Sequence, residues 1–334
     1  MSKSMLQADL IDQLESLRED EQLLAFARLL KRYGAHLSQI SSQLYEKLDR
    51  DDRQRFVIWM LKRWAGLDLV NPIEMSAYLE MVEAVKTQVC EPLSIDGGQY
   101  KLQDMRLQGY DFKLAAYNWV LSVHDVYYNQ YEHKDFKVRP GDVIIDAGGF
   151  IGDTAALFCT KTGGDCFVHA FEVLDENLRL FHYNNELNGI AGKVRVNKLA
   201  LTDRSGDTLG IKPAALQGAT SVSANDALEV RVETISLDDY VVKHRLRRVD
   251  LIKMDIEGAE LPALKGAINT IRHFRPRLAL CLYHKWDDII TIPSFLEQTG
   301  LEYRFKFKWV QLTHGWEAVL LAEPVAYTEV RREF

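Results

Sequence analysis

The segment VIIDAGGFIGDTA, residues 143–155, narrows what this chain can fold into more than any other. An apolar run ends in an acid, Asp146. A glycine-rich turn follows at once, and a helical pattern begins at Asp153. Gly148, Gly149 and Gly152 let the backbone turn tightly and come close to a ligand. Strand, loop and helix in that order open a nucleotide site in a parallel α/β sheet. The loop is neither a GxxxxGKS/T phosphate cradle nor a GxGxxG, and it holds no lysine for a phosphate. An acid with no basic partner suits a ligand that carries a cationic amino-acid end and a ribose. S-adenosylmethionine (SAM) is such a ligand.

The pattern on either side supplies the rest of the fold. Residues 1–95 read as an all-helical N-terminal subdomain. Leu6, Leu10, Leu14 and Leu17 recur at helical spacing, Leu23, Leu24, Phe26, Leu29 and Leu30 form a second apolar face, and Phe56, Trp59, Met60 and Trp64 a third. Such faces need cover, which makes this region a cap, a dimerisation face or a docking surface. Residues 96–334 read as the second domain. A short hairpin is expected over 100–105 and 110–114. Beyond residue 143 strands alternate with helices: strands over 166–171, 194–201, 208–212, 228–235, 249–254 and 278–283, and helices over 175–187, 236–244, 259–271 and 292–298. A late pair of strands is expected over 303–310 and 317–321. The reading is an α/β, doubly wound sheet with an antiparallel edge.

Three acids then fall at the ends of three expected strands: Asp146, Glu172 and Asp255. In a doubly wound sheet that is where ligands bind. Glu172 follows the strand after the glycine loop, the position from which a carboxylate accepts ribose hydroxyls. The stretch LIKMDIEGAE, residues 251–260, carries Asp255 to a strand end, then Glu257, a turn at Gly258, and Glu260 at a helix start. Glu260 has an ordinary explanation as an acid favoured by the helix dipole. Carboxylates crowded together raise one another's pKa, which suits Glu257 to the work of a general base; the same crowding suits a divalent cation, the less favoured choice. His284, after the strand expected over 278–283, is the other candidate base.

Bulk properties exclude several classes. The 334 residues allow two domains, and 47% hydrophobic with 27% charged residues is an ordinary globular composition. A net charge of −7 speaks against a nucleic-acid partner. No apolar run has membrane length, and the first residues hold no signal-like apolar stretch. The four cysteines are scattered without metal spacing, so thiols in a reducing cytoplasm are expected.

Taken together, DAGGFIGD at 146–153, Phe171-Glu172, ALTDRSG at 200–206, IKMDIEGAE at 252–260 and Tyr283 to Lys285 with Asp287, Asp288, Ile292 and Pro293 resemble the FkbM family of SAM-dependent methyltransferases. The segment HDVYYNQY at 124–131 resembles that family's lead-in to the glycine loop. The likeness runs over roughly residues 115–322, and IKMDIEGAE is its most specific part. Gly148-Gly149-Phe150 departs mildly from the family, where Gly-Ala-Asn is common. The resemblance implies a Rossmann-like class I methyltransferase sheet and methyl transfer from SAM to a hydroxyl of a sugar, glycan or natural-product scaffold. It implies that Asp146, Gly148, Gly149, Phe150 and Gly152 hold the methionine end, Glu172 the ribose and Asp203 the adenine. Asp255 would lie near the sulfonium and the substrate.

Chemistry agrees with that division of labour. Methyl transfer is an in-line displacement, so the site must align oxygen, carbon and sulfur. An alcohol is a weak nucleophile near neutral pH and needs a base, here Glu257 or His284, while Asp255 orients groups. Phe150, Tyr128 and Tyr131 are aromatics able to pack on the cation, or simply core. Two other readings stand beside this one: a SAM- or nucleotide-binding protein without methyl transfer, and an NAD-dependent oxidoreductase. A homodimer through the N-terminal helices is also expected.

Overall fold

The computed structural model describes residues 4–88, 90–120, 126, 128–212, 221–223 and 230–325. Val123, His124, Asp125, Tyr127 and Leu228, which fall in segments read above, lie outside them. The chain divides into two compact units, Met1–Tyr78 with Cys281–Phe334, and Leu79–Leu280.

The N-terminal region is helical: α1 (Met5–Glu15), α2 (Glu19–Tyr33), α3 (Leu37–Gln43), α4 (Arg50–Met60), a π-helical turn (Leu61–Ala65) and α5 (Pro72–Thr87). Ser4 opens α1 with a capping box, its hydroxyl taking the Gln7 N–H while the Gln7 side chain takes that of Ser4. Asp49 caps α4, its carboxylate accepting the Asp52 N–H at 3.0 Å. The apolar face expected on α2 is only partly covered. Ala25, Leu29 and Tyr33, spaced four apart, are buried, whereas Leu23, Leu24, Phe26 and Leu30 remain exposed. A helix of this composition has more apolar residues than one stripe can hide.

The second unit starts with β1 (Glu91–Ile95), β2 (Gly98–Asp104) and β3 (Lys113–Ala116), a small antiparallel sheet. The expected hairpin is β2–β3. The edge strand β1, which carries Pro92, was read as the end of the helical region; an edge tolerates a residue with no N–H to donate. Next come β4 (Asp142–Ala147), α6 (Asp153–Lys161), β5 (Cys166–Phe171), α7 (Asp175–Leu187), β6 (Val194–Asn197), β7 (Ala200–Leu201), β8 (Thr208–Lys212), β9 (Ser221–Ser223) and β10 (Val230–Ile235). After them follow α8 (Leu237–His244), β11 (Leu251–Met254), α9 (Glu260–Lys265), α10 (Ile268–Phe274) and β12 (Arg277–Cys281). Strands β12, β11, β4, β5 and β6 lie in that order and pair in parallel. From β4 the chain builds outward through β5 to β6, and β11 returns to β4's other side. The gap between β4 and β11 is therefore the topological switch point.

Two expected elements are split. The strand read over 194–201 is β6 and β7, because β7 leaves the parallel sheet to pair with β10. The helix read over 259–271 is α9 and α10, broken at Gly266. A Cβ there would stand 2.0 Å from the Thr202 carbonyl oxygen, so the break is where helix backbone meets loop backbone. Helical periodicity runs through both pieces, which hides the break from the sequence.

The chain ends with α11 (Asp288–Gln298) and the antiparallel pair β13 (Tyr303–Lys308) and β14 (Val319–Pro324). Phe56 and Trp59 of α4 pack edge-on against Phe307 of β13, ring centroids 5.2 and 5.5 Å apart. Parallel strands alternating with helices, this antiparallel pair and the helices before them make the α/β architecture that the sequence indicated. Among the described residues no helix is long and apolar enough to cross a membrane.

Gly266→Ala is expected to destabilise the protein by about 1–3 kcal/mol, as overpacking does. Urea unfolding checks this: an unchanged midpoint would show that the Thr202 backbone yields without cost.

Candidate active site

The site is built where β4, β5 and β11 end together. Their ends are joined by the backbone of the glycine loop. The N–H groups of Gly148 and Gly149 both donate to the Phe171 carbonyl at 3.0 Å, tying the loop to the end of β5. Gly148 has φ 81°, and a Cβ on it would fall 1.8 Å from the Asp255 carbonyl oxygen. Only glycine permits both that conformation and that approach to the end of β11. Gly152, at φ 86°, caps α6 and leaves no room for a Cβ against the Phe181 ring, 2.9 Å away.

Asp146 is not where the sequence put it. It is fully buried one residue before the end of β4, it does not line the pocket, and it has a basic partner. Lys253 is its cross-strand neighbour on β11, with Nζ 3.0 Å from Asp146 Oδ1 and both side chains sealed from solvent. The same ammonium donates to the Gly148 carbonyl at 2.6 Å. It also lies 4.8 Å from the centroid of the Tyr131 ring, whose hydroxyl donates to Asp255 Oδ2 at 2.6 Å. One buried cation thus touches the acid of the first motif, the backbone of its loop, and the tyrosine that orients the acid of the second motif. A lysine amid the apolar run of β11 is the sequence signal for such a pair. Tyr131 stands in the segment 124–131 that the sequence singles out, but its link to Asp255 spans more than 100 residues of chain.

The pocket itself is lined by Gly148, Phe150, Glu172, Asp255, Glu257 and their neighbours, with one wall made by 199–201. That wall stays in place because Ala200 and Leu201 pair with Thr234 and Ile235 of β10. Glu172 is buried, and its Oε1 accepts the N–H groups of Val173 and Leu174 at 2.5 and 2.9 Å. Burial still holds its carboxyl above the ordinary glutamate pKa of 4.5, although those backbone bonds and Lys253 pull the other way. Phe150 and Glu257 both have left-handed backbones, at φ 46° and 55°. A non-glycine residue there is strained by about 1–2 kcal/mol. Gly258 follows at φ 91°, and the buried Glu260 accepts the Ile256 N–H at 2.9 Å, closing the turn from inside. Glu260, read as a simple helix-start acid, is thus a brace for the segment bearing Asp255 and Glu257.

Not every expected residue lines the pocket. Gly149 and Gly152 shape the loop without lining the pocket, and Asp203 is exposed in the turn after β7, outside the pocket lining. From this part of the chain it is residues 199–201 that line the pocket. His284 is half-buried in the segment between β12 and α11, and belongs to the other compact unit. Of the three aromatics read as packing on a cation or simply as core, Tyr131 lies against the protein's own Lys253.

A parallel sheet with a glycine loop and a crowded carboxylate turn at its switch point is an α/β fold of the class I methyltransferase type. A family model described as "Methyltransferase FkbM domain" matches residues 146–320, over half of the chain, and the protein belongs to that family. The family's methyl donor is SAM. Among similar proteins, the hexuronic acid methyltransferase AglP of Haloferax volcanii is 30% identical over 132 residues, 39% of this chain and 52% of AglP. "Methyltransferase 1" of Beauveria bassiana is 27% identical over 178 residues, 47% of this chain and 71% of that protein. The chain therefore spans about half the length of the first of these relatives. The crystal structure of methyltransferase FkbM from Methylobacillus flagellatus KT superposes with a TM-score of 0.52 at 15% identity, covering 90% of this chain and 62% of that one. At that identity it is the fold that is shared.

Lys253→Met should cost about 3–5 kcal/mol, because it leaves the Asp146 carboxylate buried and unpaired. The double variant Asp146→Asn with Lys253→Met should regain much of that loss. Chemical denaturation of the three proteins checks the pair; equal losses in the single and double variants would show that charge is not what the fold needs there.

Proposed function

We propose that this chain transfers the methyl group of SAM to a hydroxyl oxygen of a sugar, glycan or natural-product scaffold. One observation carries the reading: Gly148, Glu172, Asp255 and Glu257 line a single pocket at the switch point of a parallel sheet. The residues fit SAM. The loop lies flat because glycine lets it touch the end of β11, and Glu172 offers a buried carboxylate to ribose hydroxyls. That a relative sharing 30% identity is named for hexuronic acid supports a sugar acceptor.

Bound SAM supplies an electrophilic methyl on a sulfonium: the new O–C bond forms as the C–S bond breaks, and the hydroxyl proton leaves to a base. Each acid has a distinct task in this reading. Asp146 and Lys253 hold the loop from beneath. Asp255 has one oxygen committed to the Tyr131 hydroxyl, which fixes its direction and suits it to orient the acceptor and offset positive charge. Glu257 is the base. It lines the pocket, and the fold holds its backbone in a conformation with a cost, which a purely structural glutamate would not require. His284 is the second candidate.

Glu257→Gln should leave binding of S-adenosylhomocysteine, the demethylated product, intact and lower turnover about 10²–10⁴-fold. Calorimetry and product release over a panel of sugar acceptors measure the two effects. Full turnover in Glu257→Gln with loss in His284→Asn would move the base to the histidine.

A second expectation concerns pH. Ribose hydroxyls donate to the ionised Glu172, so protonation competes with the ligand. The folded pKa is raised, so product affinity should weaken as pH falls while still above 4.5, and Glu172→Gln should flatten that dependence. The same raised pKa means the carboxyl's contribution to stability is complete at low pH and is lost as pH rises through it.

A further inference from the structure

The π-helical turn Leu61–Ala65 carries Arg63 and Trp64 at its centre and ends in Gly66 at φ 80°. Such turns are uncommon and concentrate at functional sites. Here the turn sets a guanidinium between two indoles: the Arg63 carbon lies 4.4 Å from the Trp64 ring centroid and 4.9 Å from that of Trp316. A second guanidinium, Arg32, stands 5.2 Å from the same Trp64 ring. Trp316 is 48% exposed, and its backbone is pinned by the Trp59 indole, which donates to its carbonyl at 2.9 Å.

Arg55 pairs with Glu74 at 2.7 Å and Arg277 with Asp142 at 2.5 Å. Arg63 is half-buried, yet among the described residues it forms no ion pair. Its Nε and Nη2 both donate to one acceptor, the Tyr283 carbonyl, at 3.3 and 2.8 Å. A guanidinium has five N–H donors in a planar fork, so most of its capacity is unused. The carboxylate whose charge acts on it, Glu317, already accepts the Trp316 N–H at 2.8 Å. Burial and the like charge of Arg32 both weigh against the cation, which an anion arriving from outside would relieve.

We propose that Arg63, Trp64, Trp316 and Arg32 form a binding subsite for a carboxylated sugar. The guanidinium fork receives the carboxylate in bidentate fashion, and the open indole of Trp316 receives the apolar C–H face of the pyranose. This deepens the sugar-hydroxyl reading above and rests on it for the link to methyl transfer. The binding itself stands alone. The carbonyl that Arg63 holds belongs to Tyr283, the residue before His284, so occupation of the subsite bears on the segment that carries a candidate base.

The test uses the full chain and its tryptophan fluorescence, titrated with D-glucuronate, D-glucose, acetate and D-glucose 6-phosphate, with S-adenosylhomocysteine binding measured separately by calorimetry. D-glucuronate should bind at least about tenfold more tightly than glucose or acetate, the worth of a charge-assisted bidentate contact. Arg63→Gln should abolish that preference without changing S-adenosylhomocysteine affinity, and Arg63→Lys should restore only part of it. Trp316→Ala, at an exposed position that folding tolerates, should weaken glucuronate and leave acetate unchanged. Equal binding of glucose and glucuronate, tighter binding of the phosphate sugar, or an unaltered preference in both Arg63→Gln and Trp316→Ala would overturn the assignment. If S-adenosylhomocysteine binds and glucuronate does not, the subsite fails and the methyltransferase reading stands. If glucuronate binds and S-adenosylhomocysteine does not, the reverse holds.

Discussion

The pair Lys253–Asp146 is the interaction on which the site depends. Two charges are sealed where neither sees solvent, at adjacent positions of the two strands that flank the switch point. A buried pair of this kind contributes little net stability, because desolvation offsets much of the attraction. What it contributes is specificity. The ammonium reaches its acid, the Gly148 carbonyl and the Tyr131 ring together only when β4, β11 and the loop are in register. A slip of one residue in either strand would leave an unpaired charge in the core.

From that cation the site's geometry spreads in two directions. Through Gly148 it sets the loop against the end of β11, at a distance that excludes any Cβ. Through Tyr131 it sets Asp255, whose oxygen takes the tyrosine hydroxyl. Glu172, Asp255 and Glu257 share one pocket yet differ in every respect that decides their chemistry. Glu172 is buried and held by backbone N–H groups, Asp255 is oriented by a phenol, and Glu257 rides on a strained turn braced by Glu260. Three carboxylates of nearly equal intrinsic acidity are thereby held in three different environments.

Much of this was legible in the linear order of residues. The strand–loop–helix at 143–155, the ribose-type acid Glu172 and the turn at 255–258 are local patterns, each formed by residues close in sequence, and each falls at a strand end. The misplacements share one cause. Asp146 read as an acid free to meet a ligand because its own loop holds no base, while its partner waits on β11. Asp203 read as a pocket residue because it follows a strand, but β7 leaves the parallel sheet and turns that residue outward. The α9–α10 break depends on the Thr202 carbonyl, which periodicity cannot sense.

The sequence by itself determined the class of fold, the strand ends where the pocket lies and the family, because those rest on short-range order: hydrophobic period, glycine placement and acids at strand ends. Only the tertiary structure decided which acids line the pocket and which lies buried beneath the loop, and that a lysine and a tyrosine connect the two motifs. It likewise decided that Arg63 lies against two indoles and, among the described residues, forms no ion pair. The physical reason is the same in each case. Charge and hydrogen-bond partners act over a few ångströms of space, and in a parallel sheet neighbours in space are separated by a hundred residues of chain.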